Sequence, residues 1–210
     1  MLVKLKAAVL GTTVALALAL TGCSDPGQSS NSGTTTSSSA AAAADGKTKK
    51  TDVFGESCSA LPQGADKGSL DDMAEAPVAT AASTNPLLTQ LVALVTKANL
   101  GDTLNGQEAI TVFAPSDAAF KALPEATVTD LTNNPDKLAN VLKYHVIPKR
   151  YDKAGLIAAG EVASLQGQKV KITADGDTIK ANDAKVICGN IPTKNATVFV
   201  VGSVLSPPSA

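Results

Sequence analysis

The stretch TVFAPSDAAF, Thr111 to Phe120, changes structure within a few residues. Thr111-Val112-Phe113-Ala114 is a short run of β-branched, aromatic and small residues with no charge, the pattern of a strand buried on both faces. Pro115 ends it, because proline has no N–H to give to a sheet ladder. Ser116 or Asp117 then caps a short helix that carries Ala118, Phe120 and Leu123.

Outward from it, Asn85-Pro86 has the form of a helix start, and Leu87, Leu88, Leu91, Leu94, Val95 and Ala98 follow at helical spacing until Gly101. Asn105-Gly106 marks a turn. A second pair, Asn134-Pro135, opens a helix with Leu138, Val141 and Leu142 on one face. Tyr144 to Ile147 reads as a strand closed by Pro148, and Ala154 to Ala159 as a short helix stopped by Gly160. Beyond Gly160 the period changes to two. Glu161–Leu165, Lys169–Thr173, Thr178–Lys180, Ala184–Cys188 and Thr197–Leu205 read as strands, with Asp175-Gly176 turning a hairpin and Pro207-Pro208 closing the domain. Helices cluster early and strands late, which predicts an α+β domain rather than alternating βαβ units.

Upstream of residue 52 the chain has a different character. Lys4 and Lys6 precede the uncharged run Ala7–Leu20, which is too short to cross a bilayer and reads as a secretory leader. Leu20-Thr21-Gly22-Cys23 resembles the lipobox of bacterial lipoproteins, which implies cleavage before Cys23 and a diacylglyceryl group on its thiol. Two acyl chains at one residue hold stably on a membrane where a single chain holds only marginally. The expected organisation is a signal at 1–22, a lipidated Ser/Thr/Ala-rich linker at 23–51 and one domain at 52–210. The expected location is extracytoplasmic, at the cell surface, with the membrane as a partner through the N-terminal lipid. Thr34-Thr35-Thr36 offers a site for O-linked sugar, with an unmodified spacer as the equal alternative. With Cys23 acylated, two of the three cysteines remain, and in an oxidising compartment parity predicts a Cys58–Cys188 disulfide.

Three segments together resemble the fasciclin (FAS1) domain. Thr111–Phe120 is similar to its first signature, with Thr111, Phe113, Pro115, Ser116, Asp117 and Phe120 as the motif positions. Tyr144-His145-Val146-Ile147 is similar to its central Tyr-His motif, and Ala196–Leu205 to its second signature. The stretch Pro77–Pro86 and the two cysteines resemble, more narrowly, the mycobacterial fasciclin-type surface lipoprotein antigens. The resemblance implies a β-sandwich wedge with flanking helices, contact with matrix, cell wall or other surface partners of protein or glycan nature, immunogenicity, and recognition of the lipid by Toll-like receptor 2. It implies no enzyme and no catalytic residue. Gly202-Ser203 stands where many members carry a pair such as Ile-Asp.

Other chemistry is weaker in the sequence. Formal net charge is −1, aromatics are 3% and tryptophan is absent, so no basic stripe or stacking platform for nucleic acid is present. His145 is the sole histidine, which excludes a multi-histidine metal site. A hydrolytic triad would have to join it to Ser116 and Asp117, whose simpler roles are helix cap and first-turn acid. Asp175, Asp177 and Asp183 lack the loop pattern of a calcium site. Asn195-Ala196-Thr197 is a glycosylation sequon that reads as a turn asparagine. Lys47, Lys49 and Lys50 read as solubilising residues, with contact to anionic headgroups or wall polymer as the sharper alternative. No cofactor is expected; the alternative function is a carrier of haem or lipid with a pocket near Tyr144 and His145.

Overall fold

The computed structural model describes residues 45–207. The leader, Cys23, the Thr34–Thr36 cluster and Pro208 lie outside the described residues. The chain from Ala40 onward is a compact unit of its own. Helices α1 (Leu70–Glu75), α2 (Val78–Thr84), α3 (Thr89–Lys97) and α4 (Gly101–Gly106) come first. Then follow β1 (Ile110–Pro115), α5 (Asp117–Lys121), α6 (Glu125–Asn133), α7 (Pro135–Tyr144), β2 (Val146–Ile147) and α8 (Lys153–Ala159). Strands β3 (Glu161–Ala163), β4 (Lys169–Asp175), β5 (Thr178–Ala181), β6 (Ala184–Pro192) and β7 (Ala196–Val201) complete the fold.

The strands form one ribbon in the order β2-β1-β7-β6-β5-β4-β3. Its centre is the parallel pair β1–β7, in register from Ile110↔Ala196 to Pro115↔Val201, while the neighbouring pairs are antiparallel. Side chains of a strand alternate between its faces, and in this pair both faces are apolar. Ile110, Val112, Ala114, Ala196, Val198 and Val200 enter a core shared with α1, α2, α3 and α7. Phe113, Phe199 and Val201 enter a second core with Tyr144, Leu156, Val170 and Ile179. The ribbon reaches over that second core because β6 breaks register between Val186 and Cys188 and again between Cys188 and Ile191, and such irregularities bend a strand. The two ends of the ribbon approach each other, and Leu165 N–H beyond β3 donates to the Val146 carbonyl of β2 at 2.7 Å. The result is the expected α+β wedge, a curled sheet filled on one side and covered by helices on the other.

The N-terminal arm docks on β6. Phe54 and Gly189 exchange backbone hydrogen bonds of 3.2 and 2.8 Å, and the Phe54 ring meets Phe199 edge-on with centroids 6.4 Å apart. A β-carbon on Gly189 would stand 2.5 Å from the Phe54 ring, so glycine is required by close approach. One turn later Cys58 bonds to Cys188, with Cα atoms 5.0 Å apart. Packing begins earlier than residue 52, because Thr197 Oγ1 donates to the Gly46 carbonyl at 3.0 Å and Gly46 is buried.

Several local expectations are corrected. Asn85 does not open a helix. Its side chain accepts from Leu87 N–H at 2.9 Å in a tight turn, and α3 starts only at Thr89. Gly101 begins α4 instead of ending the helical region, and Asn105-Gly106 closes α4. Tyr144 is the last residue of α7, not the start of a strand, so the Tyr-His motif is a helix end with His145 as its C-cap. Helices α1, α2 and α6 give little apolar periodicity, each burying only one or two side chains.

The Cys58–Cys188 bridge closes a sequence separation of 130 residues, for which the chain-entropy model gives about 5 kcal/mol as an upper figure. Cys58→Ala/Cys188→Ala should therefore unfold at clearly lower urea concentration than the parent. Reducing agent should lower the parent's midpoint and leave the double variant unchanged.

Candidate functional site

The polar residues of the motifs converge on the ends of β1, and each is engaged. Thr111 Oγ1 donates to the Lys149 carbonyl and accepts from Tyr151 N–H, both at 2.8 Å, pinning the chain beyond β2. Ser116 Oγ accepts from Ala119 N–H at 3.3 Å as the cap of α5, and Ser116 N–H donates to Val201 O at 3.0 Å. Asp117 serves a different helix from its own. One carboxylate oxygen accepts from Gln90 N–H at 2.8 Å and the other from the Thr89 hydroxyl, so it supplies the cap that α3 lacks from Leu88. Its own N–H donates to Leu87 O at 2.8 Å. Pro115 ends the parallel ladder opposite Val201, Phe113 packs on Phe199 with centroids 5.8 Å apart, and Phe120 sits in the helical core.

Tyr144 and His145 turn to opposite tasks. The Tyr144 ring fills the second core, while its hydroxyl donates to Lys169 O at 3.0 Å and accepts from Asn182 Nδ2 at 2.8 Å. His145 is buried and uses both ring nitrogens. Nε2 accepts from Leu205 N–H at 2.9 Å, so Nδ1 carries the proton and donates to Val141 O at 2.8 Å. Burial pushes its pKa from 6.5 down to about 4, opposed only by the Val141 carbonyl. Neither residue offers a free atom to a haem iron or to a serine nucleophile. Ser116 and Asp117 are committed to helix caps, so no triad forms. Among the described residues no group of three His, Cys, Asp or Glu side chains is placed to hold a metal. Asp177 instead receives Lys153, whose ammonium lies 2.8 Å from its carbonyl.

Asn195 is a buried knot rather than a glycan acceptor. Its Oδ1 accepts from Val78 N–H at 2.8 Å, and Nδ2 donates to the carbonyls of Leu104 and Gln107 at 2.8 and 2.7 Å. One amide thus fixes the start of α2 and the end of α4 to the turn before β7. The lysines of the arm are also placed. Lys50 pairs with Asp71, Lys47 N–H donates to Asp45 at 3.1 Å, and Lys49 N–H donates to Asp52 at 2.8 Å.

The pocket expected near Tyr144 and His145 takes a different form from the one the sequence suggested. A cavity of about 520 Å³ separates α2, α3 and α4 from the β1–β7 sheet. Its floor is apolar, formed by Val112, Val198, Ile191, Leu88 and Leu142, and His145 forms part of its far wall. The gap exists because α2 presents small side chains, Ala79 and Ala82, where a larger residue would fill it. Polar side chains also line it: exposed ones such as Asp102 and Lys143, and the buried Asn85 and Thr193. The sequence pointed to its His145 side; nothing in the Ala-rich run of α2, which also suits an ordinary tight helix contact, gave its extent.

This combination of a curled sheet, a buried parallel pair and a Tyr-His helix end places the chain in a defined class. A family model described as the Fasciclin domain matches residues 86–207, and the chain belongs to the fasciclin family. It is 40% identical over 167 residues to the immunogenic protein MPT70 of Mycobacterium tuberculosis, covering 75% of this chain and 84% of that one. It is 39% identical over 170 residues to the cell surface glycolipoprotein MPB83 of Mycobacterium bovis, covering 75% and 74%. Protein sll1483 of Synechocystis is 38% identical over 129 residues, 60% of this chain and 71% of that one. A solved FAS1 domain pair from the insect cell adhesion molecule fasciclin I superposes with a TM-score of 0.47 at 17% identity, covering 57% of this chain and 45% of that chain.

Two predictions test these roles. Asp117→Ala removes the α3 cap and should cost about 1–2 kcal/mol in urea unfolding. For His145, the unfolded imidazole titrates near 6.5 and the folded one near 4. Its contribution to stability is whole above pH 6.5, and it is lost as pH falls because only the unfolded chain takes up the proton. About 3 kcal/mol should disappear between pH 6.5 and 4. His145→Gln should be less stable at pH 7 and should show a flatter dependence in that window.

Proposed function

We propose that this protein is a lipid-anchored cell-surface protein whose fasciclin domain works by contact with matrix, cell-wall or other surface partners, not by catalysis. The observation that carries this reading is its 39% identity over 170 residues to a relative named cell surface glycolipoprotein. The leader that ends at Leu20-Thr21-Gly22-Cys23 supports the anchor. The internal commitment of Ser116, Asp117, Tyr144 and His145 supports a role without reactive side chains.

The face of the curled sheet away from both cores is basic. Lys169, Lys171, Lys180 and Lys185 are exposed there, and Lys180 and Lys185 are direct register partners. Like charges set opposite each other cost stability. Glu161 and Glu56 neutralise Lys169 and Lys185, while Lys171 and Lys180 have no ion pair among the described residues. In this reading the face meets an anionic surface partner.

In a bacterial host the full chain should partition into the detergent phase and take up labelled fatty acid, and Cys23→Ala should do neither. Intact cells carrying the chain should bind matrix or wall fractions saturably. Lys171→Glu/Lys180→Glu and raised salt should both weaken that binding. Absence of saturable binding to either fraction overturns the contact role, and acylation of Cys23→Ala overturns the anchor.

A further inference from the structure

We propose that the cavity between α2–α4 and the β1–β7 sheet is a binding site for the acyl chain of a single-chain anionic lipid such as a fatty acid. The inference is independent of the surface role. Its volume, about 520 Å³, lies within the range of small-molecule sites. Its chemistry is graded. The floor is provided by aliphatic side chains of β1, β6 and β7, where a polar or aromatic-stacking ligand finds no partner. The buried polar residues of the lining, Asn85, His145 and Thr193, are each engaged within the protein, and His145 has both ring nitrogens occupied. A flexible hydrocarbon is the ligand that gains most from such a lining, because binding there needs no hydrogen bond.

The rim supplies the head-group chemistry. Lys143, in the last turn of α7, is the one cation among the lining residues; it is exposed and makes no ion pair among the described residues. Leu165, among the few large apolar side chains left exposed, also belongs to the lining. An apolar entrance with an unpaired ammonium suits a carboxylate whose chain runs inward. Asp102, the rim carboxylate, lies in the first turn of α4. The roof has the means to open. Helix α4 is flanked by Asn99 and Ala109, both at positive φ (51° and 56°), and its last carbonyls are held to the sheet by the single side chain of Asn195. Asparagine tolerates that conformation, whereas at Ala109 it is strained, and α4 is also tied to α2 by Ala79 N–H donating to Asn105 Oδ1 at 2.9 Å.

The test uses residues 24–210, which contain the whole compact unit that starts at Ala40. Saturated fatty acids of roughly eight to eighteen carbons compete against a fluorescent fatty acid, with the matching alcohols in parallel. Affinity should rise about three- to fourfold per methylene and level off once the cavity is filled. Lys143→Glu should weaken the acids about tenfold and leave the alcohols unchanged. Ala82→Phe and Val95→Phe fill the space from α2 and α3; both should abolish binding of the long chains, with a Tm no lower than the parent's to show that they fold. If one of them fails to fold, the other carries the comparison. No competition at any chain length, affinity that does not change with chain length, or undiminished binding in a folded filling variant each overturns the site. Equal loss of acids and alcohols in Lys143→Glu overturns the assignment of the head group.

Discussion

The parallel pairing of β1 with β7 is the constraint on which the rest of the fold depends. These strands, Ile110–Pro115 and Ala196–Val201, are buried along their whole length and divide the protein into two cores. A parallel pair cannot be closed by a short turn, so the chain between them must leave and return. What leaves is α5 to α8 and β2 to β6, and that excursion fills both sides of the pair. Phe113 and Phe199, adjacent in the register, anchor the sandwich side together. The helical side rests on Val112 and Val198.

Around that centre, polar side chains act as cross-links between elements distant in sequence. Asp117 caps α3 from another helix, Thr111 holds the chain beyond β2, His145 ties the end of α7 to the backbone at Leu205, and Asn195 binds α2 and α4 to the turn before β7. Each of these four side chains meets complementary partners, which is the condition for burying a polar group without a large desolvation cost. The same economy explains why the motifs look chemical in sequence and carry no free reactive group in the structure. A serine beside an aspartate, with a lone histidine downstream, is the vocabulary of a hydrolase. Here each is held by a backbone atom.

Much of the fold was legible. The period-two alternation after Gly160 placed the strands to within a few residues, because half-buried strands show their faces directly in sequence. The Cys58–Cys188 bridge was read correctly from parity, and of the two cap candidates Ser116 and Asp117 the structure selects Ser116 for α5. The early helices were read less well. In α2 only Val78 and Ala81 are buried, so a helix packed through small side chains leaves no apolar stripe. Tyr144 was assigned to a strand because Tyr-His-Val-Ile is a β-favouring string; α7 runs one residue further since His145 finds its acceptor at Val141, one helical turn back. The cavity left almost no signal. A gap is the absence of a side chain, and its dimensions depend on how far α2, α3 and α4 stand from the sheet.

The sequence by itself determined what local chemistry can encode: an α+β order of elements, three family motifs and a pair of cysteines. These follow from short-range steric and hydrogen-bonding preferences, which act within a few residues. Only the tertiary structure decided that β1 and β7 run parallel, that β6 bends the sheet over a second core, that Asp117 caps a helix not its own, and that an apolar chamber remains under α2–α4. Those features arise from contacts between residues tens of positions apart. Their outcome is set by packing the whole chain at once, because distant elements must share one close-packed interior.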